Sequence, residues 1–440
     1  MLGMKIKHIN YLITVAFLMA SCTVPGPSTS TVVPTAALPT SSATGQEVSA
    51  DILWLKATAI PFDTADPNSN LEDLMLIKKM IGNARIVALG EATHGTHEFF
   101  QMKYRMLEFL VQELGFNTFA IEANWPEANL INNYIHTGLG DPAELLKDPY
   151  LGIWDTQEML DMIQWMRVYN ENPSNSQKLS FFGFDMQGDQ MARHNVAQFM
   201  QKVDPQAAQQ IADDYSCIPQ SSTGCQMKLQ VVYDWLGQHQ ADYTAASSPD
   251  EFIQALQSAR IVIQYGDYAS NNNNYNIRDR YMAENVTWVL DQAGSDARIV
   301  LWAHNNHVGM SGEENLVSMG DYLRKQYGNQ MVVFGFLFYQ GSFNAWWNSS
   351  LQTFQVDPPP TDSYESFFYN AGLPRFFLDL RTLKTDSPAA DWFLAPHPFR
   401  FIGTNYDPYS AQLYFETAAL AKVFDIVIYF QDTTPALILK

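Results

Sequence analysis

Two glutamates and two histidines lie within eight positions of the sequence, at Glu91, His94, His97 and Glu98. They follow a short apolar run with the length of a buried strand. A histidine beside a carboxylate is a common arrangement for general base catalysis, because the carboxylate orients the ring and stabilises its protonated form. The same residue types also suit zinc or manganese. The segment therefore predicts a site for proton transfer or metal chemistry.

Further ionisable side chains follow other apolar runs. Glu122, Asp185 and His304 each come directly after a run with the continuous apolar character of a strand covered on both faces. His307 lies three positions after His304. Parallel strands bring their carboxyl ends to one edge of a sheet, and ligands bind beyond that edge. We therefore expect these four side chains to meet the first cluster.

Roles can be assigned to several of these residues from their positions. A histidine near a helix N-terminus is pushed toward its neutral form, so His94 is predicted to be a general base, with Glu91 orienting it. His304 is predicted to act as a general acid or as a donor to an oxyanion. His307 is expected to return to the same cavity, whereas His97 is expected to be a solvated bystander.

Three charged residues are assigned to substrate binding with weaker reasons. Lys103 is expected on the helix that begins near Thr96, where it can hold a carboxylate, although an exposed helical lysine is the commoner case. Glu98 lies in the first turn of that helix, which the helix dipole already explains. Asp185 is expected to contact the substrate from its strand end.

Known catalytic motifs do not settle the chemistry. The sequence has no HExxH helix and no Cys/His spacing typical of zinc sites, so a metal is neither confirmed nor excluded. It also has no Gly-x-Ser-x-Gly elbow, P-loop or dinucleotide fingerprint. A serine-hydrolase or nucleotide-dependent mechanism is therefore unsupported, and we predict no cofactor and no metal ligands.

The order of apolar segments predicts an α/β fold with a mainly parallel β-sheet of about seven strands flanked by helices. The predicted strands are residues 85–89, 118–121, 179–184, 298–303, 331–338, 376–380 and 425–430. Between the third and fourth strands only helical patterns occur, at 191–203, 226–240, 251–268 and 277–292. Residues from about 187 to 292 are therefore predicted to form a helical insertion, or cap, between the two halves of the sheet.

The first fifty residues have the pattern of a targeting segment. Residues 1–21 combine lysines, a short apolar run and small residues before Cys22, which resembles a bacterial lipoprotein signal. The apolar run is well short of the roughly 20 residues that span a bilayer. Residues 22–50 are rich in Ser, Thr and Pro and predict a tether. We expect a lipoprotein of the bacterial cell envelope, attached to a membrane only through a lipid at Cys22.

The folded part is predicted to be one domain, residues 51–440. Its two cysteines, Cys217 and Cys225, are eight positions apart, and in an exported protein they are predicted to form a disulfide. Two free thiols are the alternative. The formal net charge of -20 argues against nucleic-acid partners and favours cationic ligands.

Several separated motifs resemble the erythromycin esterase family, in the family's order. They are ALGEATHGTHEFF (88–100), LGFNTFAIE (114–122), INNYIH (131–136), RDRYMAEN (278–285) and AHNNH (303–307). The resemblance extends from about residue 60 to the end of the sequence. It implies that water activated by His94, with Glu91 as its partner, opens a macrolide lactone without a metal. It also implies that Glu122, His304 and His307 line the cleft and stabilise the transition state.

The resemblance also marks a possible difference in substrate. The macrolide esterases of the family can carry Arg where this chain has Lys103, and Lys lacks the planar two-pronged donor. We expect a hydrolase of a small-molecule carboxylic ester or macrolide lactone, with a possible role in macrolide resistance. The alternatives are a metal-dependent hydrolase or peptidase that uses the same His/Glu cluster, and a non-catalytic surface binding protein.

Overall fold

A computed structural model describes residues 49–218, 223–311 and 315–439. Residues 48–440 form one compact unit. The predicted signal, Cys22 and the tether up to residue 48 lie outside the described residues. Within those residues, no helix is both long and apolar enough to cross a membrane.

The strands lie between runs of helices in chain order. Their bounds are β1 Ile60–Pro61, β2 Ile86–Leu89, β3 Thr118–Asn124, β4 Ser180–Asp185, β5 Ile299–Trp302, β6 Met331–Trp347, β7 Ser350–Val356, β8 Arg375–Asp379, β9 His397–Arg400, β10 Phe415–Ala418 and β11 Ile426–Thr433. Within the described part of the chain, nine of them form one sheet in the order β1-β8-β11-β6-β2-β5-β3-β4, with β7 paired to β6. The remaining two, β9 and β10, pair with each other.

The prediction of a mainly parallel sheet is confirmed. The strands from β11 to β4 in this order are parallel to their neighbours, and β8 and β1 extend the sheet antiparallel at one edge. All seven predicted strands are present. The sequence patterns missed β1, β7, β9 and β10, of which β1 has only two residues and β7 is largely exposed.

The order of the central strands decides which side chains can meet. β5 lies between β2 and β3 and pairs with both, so Trp302 is opposite Leu89 on one side and Ile121 on the other. All three strands run in the same direction. Glu91, Glu122 and His304, which follow these paired positions, therefore leave the sheet at one edge.

Helices cover both faces of the sheet. The helices that precede the insertion are α1 Ala50–Thr58, α2 Ile77–Ile81, α3 His97–Leu114, α4 Trp125–Thr137, α5 Pro142–Leu146 and α6 Gln157–Glu171. Those after it are α13 Asn305–Val308, α14 Met319–Tyr327, α15 Tyr364–Asn370, α16 Ala390–Leu394 and α17 Leu420–Val423. Gly115 ends α3 in the left-handed conformation with φ of 70°.

The predicted helical insertion is also present. It consists of α7 Gln190–Val203, α8 Pro205–Tyr215, α9 Thr223–Gln238, α10 Gln240–Ala246, α11 Pro249–Ser270 and α12 Tyr275–Ala293. The short helices α8 and α10 were not predicted. Helices α7 to α11 share an apolar core that is separate from the two cores on the faces of the sheet, whereas most buried apolar residues of α12 belong to one of those two cores. Cys217 and Cys225 form the predicted disulfide in this insertion.

Candidate active site

The turn after β2 is packed tightly against neighbouring backbone and side chains. A Cβ atom on Gly90 would lie 2.1 Å from Asn305 Oδ1, and one on Gly95 would lie 2.0 Å from the Asn344 carbonyl oxygen. Real Cβ atoms do not approach this closely. Both positions therefore require glycine, and the turn that carries Glu91 and His94 is held between the end of β5 and strand β6.

Glu91 is fully buried and has three hydrogen-bond partners. Its Oε1 lies 2.6 Å from His94 Nδ1. Its Oε2 accepts hydrogen bonds from Lys103 Nζ at 2.7 Å and from Trp302 Nε1 at 2.9 Å. Burial of a carboxylate costs several kcal/mol in lost hydration unless donors such as these compensate its charge. The three donors therefore keep Glu91 in one position.

This arrangement sets the tautomer of His94. Because the anionic Glu91 is an acceptor, the Nδ1 atom of His94 carries the proton and donates it, which leaves the Nε2 lone pair as the basic site. Nε2 has no hydrogen-bond partner among the described residues, and His94 lines a cleft. His94 can therefore accept a proton from a molecule bound there.

Lys103 does not occupy the place that the sequence suggested. It is fully buried and lies over the Trp302 ring, with Nζ 4.4 Å from the ring centroid. Burial lowers the pKa of Lys103 to about 8 although Glu91 pulls it upward. Its ammonium group contacts a carboxylate, as expected, but that carboxylate belongs to Glu91 and not to a substrate. The predicted substrate-binding role is therefore replaced by a role in holding Glu91.

Glu122 lines the same cleft and also has several donors. Its Oε1 accepts from Arg278 Nη2 at 2.8 Å and lies 3.1 Å from His307 Nε2. Its Oε2 accepts from the His304 backbone N–H at 2.9 Å. Burial raises the pKa of Glu122. The charge and hydrogen bond of His307 and the charges of Arg278 and His94 lower this pKa by a larger amount. The net result is a pKa well below the ordinary value, so Glu122 remains an anion.

A buried ionic network extends behind Glu122. Arg278 binds Asp185 through Nη2 at 2.6 Å in addition to Glu122. His307 Nδ1 lies 2.5 Å from Asp279 Oδ1. Burial lowers the pKa of His307, but the charges of Asp279 and Glu122 outweigh it and raise the pKa to about 9. The protonated ring can therefore donate to both carboxylates. Asp185, which was predicted to contact substrate, is occupied by Arg278.

His304 is placed beside the base but differs from its predicted role. Its ring centroid is 5.2 Å from that of His94. Nε2 lies 3.0 Å from the Ile402 carbonyl oxygen, and Nδ1 accepts from the Asn306 backbone N–H at 3.2 Å. Burial first, and the charge of His94 next, lower the pKa of His304 to about 3. A neutral ring with both nitrogens engaged is a poor general acid or oxyanion donor, so this expectation is not supported.

The cleft at this edge of the sheet has a volume of about 470 Å³. That volume is in the range of small-molecule sites. The residues that line it are His94, Glu122, Pro149, Tyr150, Gly152, Ile153, Trp154, Gln187, Trp346, Thr404 and Asn405. The indole of Trp154 meets the His94 ring nearly perpendicularly, with the ring centroids 6.2 Å apart. The base therefore faces a cleft with aromatic walls.

Two residues of the first cluster lie outside this cleft. Glu98 accepts hydrogen bonds from the backbone N–H and the hydroxyl of Thr434, each at 2.7 Å. His97 pairs with Glu158, so it is not the solvated bystander that was expected. Neither residue is among those that line the cleft. The substrate-binding role predicted for Glu98 therefore has no support in its contacts.

The donors near His94 do not converge as metal ligands. In residues 49–218, 223–311 and 315–439, no group of three or more His, Cys, Asp or Glu side chains is arranged to hold a metal ion. The ring nitrogens of His304 face backbone groups, and Arg278 occupies the space between the acidic side chains of the network. The metal-dependent alternative gains nothing from this geometry.

The sequence patterns missed several residues of the site. Arg278 and Asp279 belong to the RDRYMAEN motif, which carried the resemblance but received no role. Trp302 was treated only as part of a strand. Trp154 and Trp346 had no signal, because they reach the cleft from a loop and from the long extension of β6. The one sequence signal for Arg278 and Asp279 was that a charged Arg-Asp pair lies in a predicted helix of the insertion.

We expect loss of the Lys103 charge to destabilise the fold strongly. In Lys103→Met, Glu91 loses a cationic partner in a fully buried site, and the free energy of unfolding should fall by about 3–5 kcal/mol. Chemical denaturation measures this difference. The matched control is Lys78→Met, which breaks an exposed pair with Glu113 and should cost less than about 1 kcal/mol. Equal effects in the two variants would show that the buried pair does not need its charge.

The raised pKa of His307 predicts a pH dependence of stability. The folded ring binds its proton more tightly than the unfolded ring, whose ordinary pKa is 6.5. Its stabilising contribution is therefore complete below pH 6.5 and is lost as the pH rises through about 9. We expect the difference in unfolding free energy between the wild type and His307→Gln to shrink across that window in urea titrations. A constant difference would contradict the assignment.

Comparison with known proteins shows the family to which the chain belongs. A family model described as erythromycin esterase matches residues 111–433. The putative hydrolase YbfO of Bacillus subtilis (strain 168) is 27% identical over 429 residues, covering 88% of this chain and 92% of that protein. Erythromycin esterase type II of Escherichia coli is 27% identical over 382 residues, covering 76% and 89%.

A solved structure shares the fold. The crystal structure of a Bacillus cereus protein superposes with a TM-score of 0.78 at 27% identity, covering 88% of this chain and 98% of that one. The family match begins after Glu91 and His94, so the assignment of these two residues depends on their geometry. Because the family model spans well over half of the sequence, the chain belongs to the erythromycin esterase family.

Proposed function

We propose that this protein hydrolyses a small-molecule carboxylic ester or lactone with water activated by His94, and that macrolides are the leading substrate class. One observation supports this most directly. The Nδ1 atom of His94 is held by a buried carboxylate, its Nε2 atom has no hydrogen-bond partner among the described residues, and the residue lines a cleft. This is the geometry of a general base that awaits a proton donor.

The proposed reaction has two steps. The Nε2 atom of His94 takes a proton from water, and the resulting hydroxide adds to the carbonyl carbon of the ester. The carbon–oxygen bond to the alkoxide then breaks, and His94 returns its proton to the alkoxide. The products are a carboxylic acid, which ionises, and an alcohol; in a lactone both groups stay on one opened ring.

Two carboxylates interact with the positive charge that this reaction creates on His94. Glu91 accepts its Nδ1–H at 2.6 Å. Glu122 stays ionised and interacts electrostatically with His94. Because both carboxylates are already held by other donors, they need little rearrangement as charge develops on the ring. His307 and Arg278 hold Glu122 and are assigned this supporting role.

Substrate preference is inferred from the walls of the cleft. Tyr150, Trp154 and Trp346 offer aromatic surface, which suits a ligand with a large apolar face. The chain carries a formal net charge of -20, which attracts cations. Macrolides combine an apolar ring with a protonated amino sugar, so they fit both properties. The name of the Escherichia coli relative supports the same substrate class.

Replacement of His94 tests the mechanism. We expect His94→Asn to lower kcat/KM for an ester or macrolide by at least about 100-fold, the usual range for loss of a general base. Mass spectrometry that follows the addition of one water to each member of a macrolide and ester panel measures the activity. The matched control is His194→Asn, since His194 is an exposed residue of the insertion and its loss should leave activity unchanged.

Three outcomes would contradict the proposal. Full activity in His94→Asn would remove His94 from the mechanism. Binding of panel members without any turnover by the wild type would favour the non-catalytic alternative. Activity that depends on an added metal ion, and that a chelator abolishes, would favour the metal-dependent alternative.

We also propose, from the sequence pattern alone, that the protein is a lipid-anchored lipoprotein of the bacterial cell envelope. Cys22 would be its modified residue. Cys22→Ser is expected to abolish incorporation of a labelled fatty acid and to release the protein from the membrane fraction. Unchanged labelling of the variant would contradict the lipoprotein assignment.

A further inference from the structure

A short segment after β11, residues 434–439, pairs with two segments that contribute residues to the catalytic cleft. We call this segment the strap. It makes isolated β-bridges at two points, Thr96 with Pro435 and Thr156 with Ile438. The first point lies two residues after His94, and the second lies two residues after the cleft-lining Trp154. The strap thus connects the turn that carries the base with the loop that forms one wall of the cleft.

On the side of the base, the strap is held by four hydrogen bonds. The Gly95 carbonyl oxygen accepts from the Ala436 N–H at 3.0 Å, and the His97 N–H donates to the Thr434 carbonyl oxygen at 2.9 Å. The Glu98 carboxylate accepts from both the backbone N–H and the hydroxyl of Thr434. On the side of the base, these contacts involve the residues one, three and four positions after His94.

On the side of the cleft wall, the strap continues the same pairing. The Leu439 N–H donates to the Asp155 carbonyl oxygen at 3.0 Å, and the Gln157 N–H donates to the Leu437 carbonyl oxygen at 2.7 Å. The Glu158 carboxylate accepts from the Leu437 N–H at 3.0 Å and also contacts His97. One buried carboxylate therefore joins the strap, the cleft wall and the first residue of α3.

The strap also reaches the extension of β6, which carries the cleft-lining Trp346. Asn344 Nδ2 donates to the Ala436 carbonyl oxygen at 2.8 Å, and the Asn344 N–H donates to the Gly95 carbonyl oxygen at 2.9 Å. Three separate parts of the cleft thus meet at the strap.

Hydrogen bonds contribute more to holding much of the strap than the burial of large side chains does. Leu437 is 54% exposed and Ile438 is 40% exposed, so these side chains contribute little apolar burial. The contacts that remain join backbone groups next to His94 and Trp154. A segment of this kind affects the relative position of catalytic parts more than it affects the stability of the whole fold.

We propose that the strap is a positioning element for the reaction, with Glu98 and Glu158 as its two anchors. This proposal rests on the proposed hydrolase function. It assigns to the strap the task of keeping the His94 turn at a fixed distance from the cleft wall, where the substrate lies. A displacement of about 1 Å between a catalytic group and its substrate can cost about 100-fold in rate, so partial loosening should be visible in kcat.

The test uses three variants of α3. Glu98→Ala removes both hydrogen bonds to Thr434, whereas Glu98→Gln keeps an amide oxygen that accepts the Thr434 N–H. We expect Glu98→Ala to lower kcat about tenfold with KM changed by less than about twofold, and Glu98→Gln to keep most of the activity. Glu113→Ala removes a carboxylate at the far end of the same helix and should leave kcat unchanged.

Hydrogen exchange of the free protein provides a readout that does not depend on activity. Backbone amides of the strap and of residues 93–97 and 150–157 should exchange faster in Glu98→Ala than in the wild type. Glu113→Ala should leave these amides unchanged. This measurement separates the two proposals. A wild type that cleaves no ester would contradict the proposed function. Hydrogen exchange would still show whether the strap links the His94 turn to the cleft wall.

Three outcomes would overturn the proposal. If Glu98→Gln is as impaired as Glu98→Ala, the effect belongs to the charge at the helix N-terminus. If Glu98→Ala keeps full kcat, the strap is not needed for positioning. If exchange does not change on the cleft-wall side, the strap does not connect the two parts.

Discussion

The structure of the site depends on one buried carboxylate. Glu91 cannot remain ionised away from water unless donors surround it, and His94, Lys103 and Trp302 fill that role from three different elements. The same contacts that compensate its charge also fix the tautomer of His94. Stability and chemistry are therefore linked at this position, since a change in any of the donors alters both the burial of Glu91 and the orientation of the base.

A second level of organisation holds Glu122. The network of Arg278, Asp185, Asp279 and His307 contains two acidic groups and two basic ones, and together with Glu122 it carries a net negative charge when all are ionised. It lies behind Glu122 and keeps that residue anionic beside His94. The helical insertion contributes to the site through its last helix, α12, which carries both Arg278 and Asp279.

The strap gives a third constraint of a different kind. Its contacts run through backbone groups, and side-chain identity matters mainly at the anchors Glu98 and Glu158. The sequence could not show this role of Glu98, because its partner Thr434 lies more than three hundred residues later in the chain.

Much of the fold follows from patterns that are visible in the chain alone. Continuous apolar runs predicted the strands and the parallel sheet, helical periodicity predicted the insertion, and the spacing of Glu91 and His94 predicted a base with its partner. These features are local, since each depends on neighbours in the chain. The sequence could not place Lys103 or His304, because their roles depend on what surrounds them. Only the tertiary structure brought β5 between β2 and β3, buried Lys103 against Glu91 and turned the ring nitrogens of His304 toward backbone groups. Burial and hydrogen-bond partners come from segments far apart in sequence, and they decide the charge and the tautomer of each group.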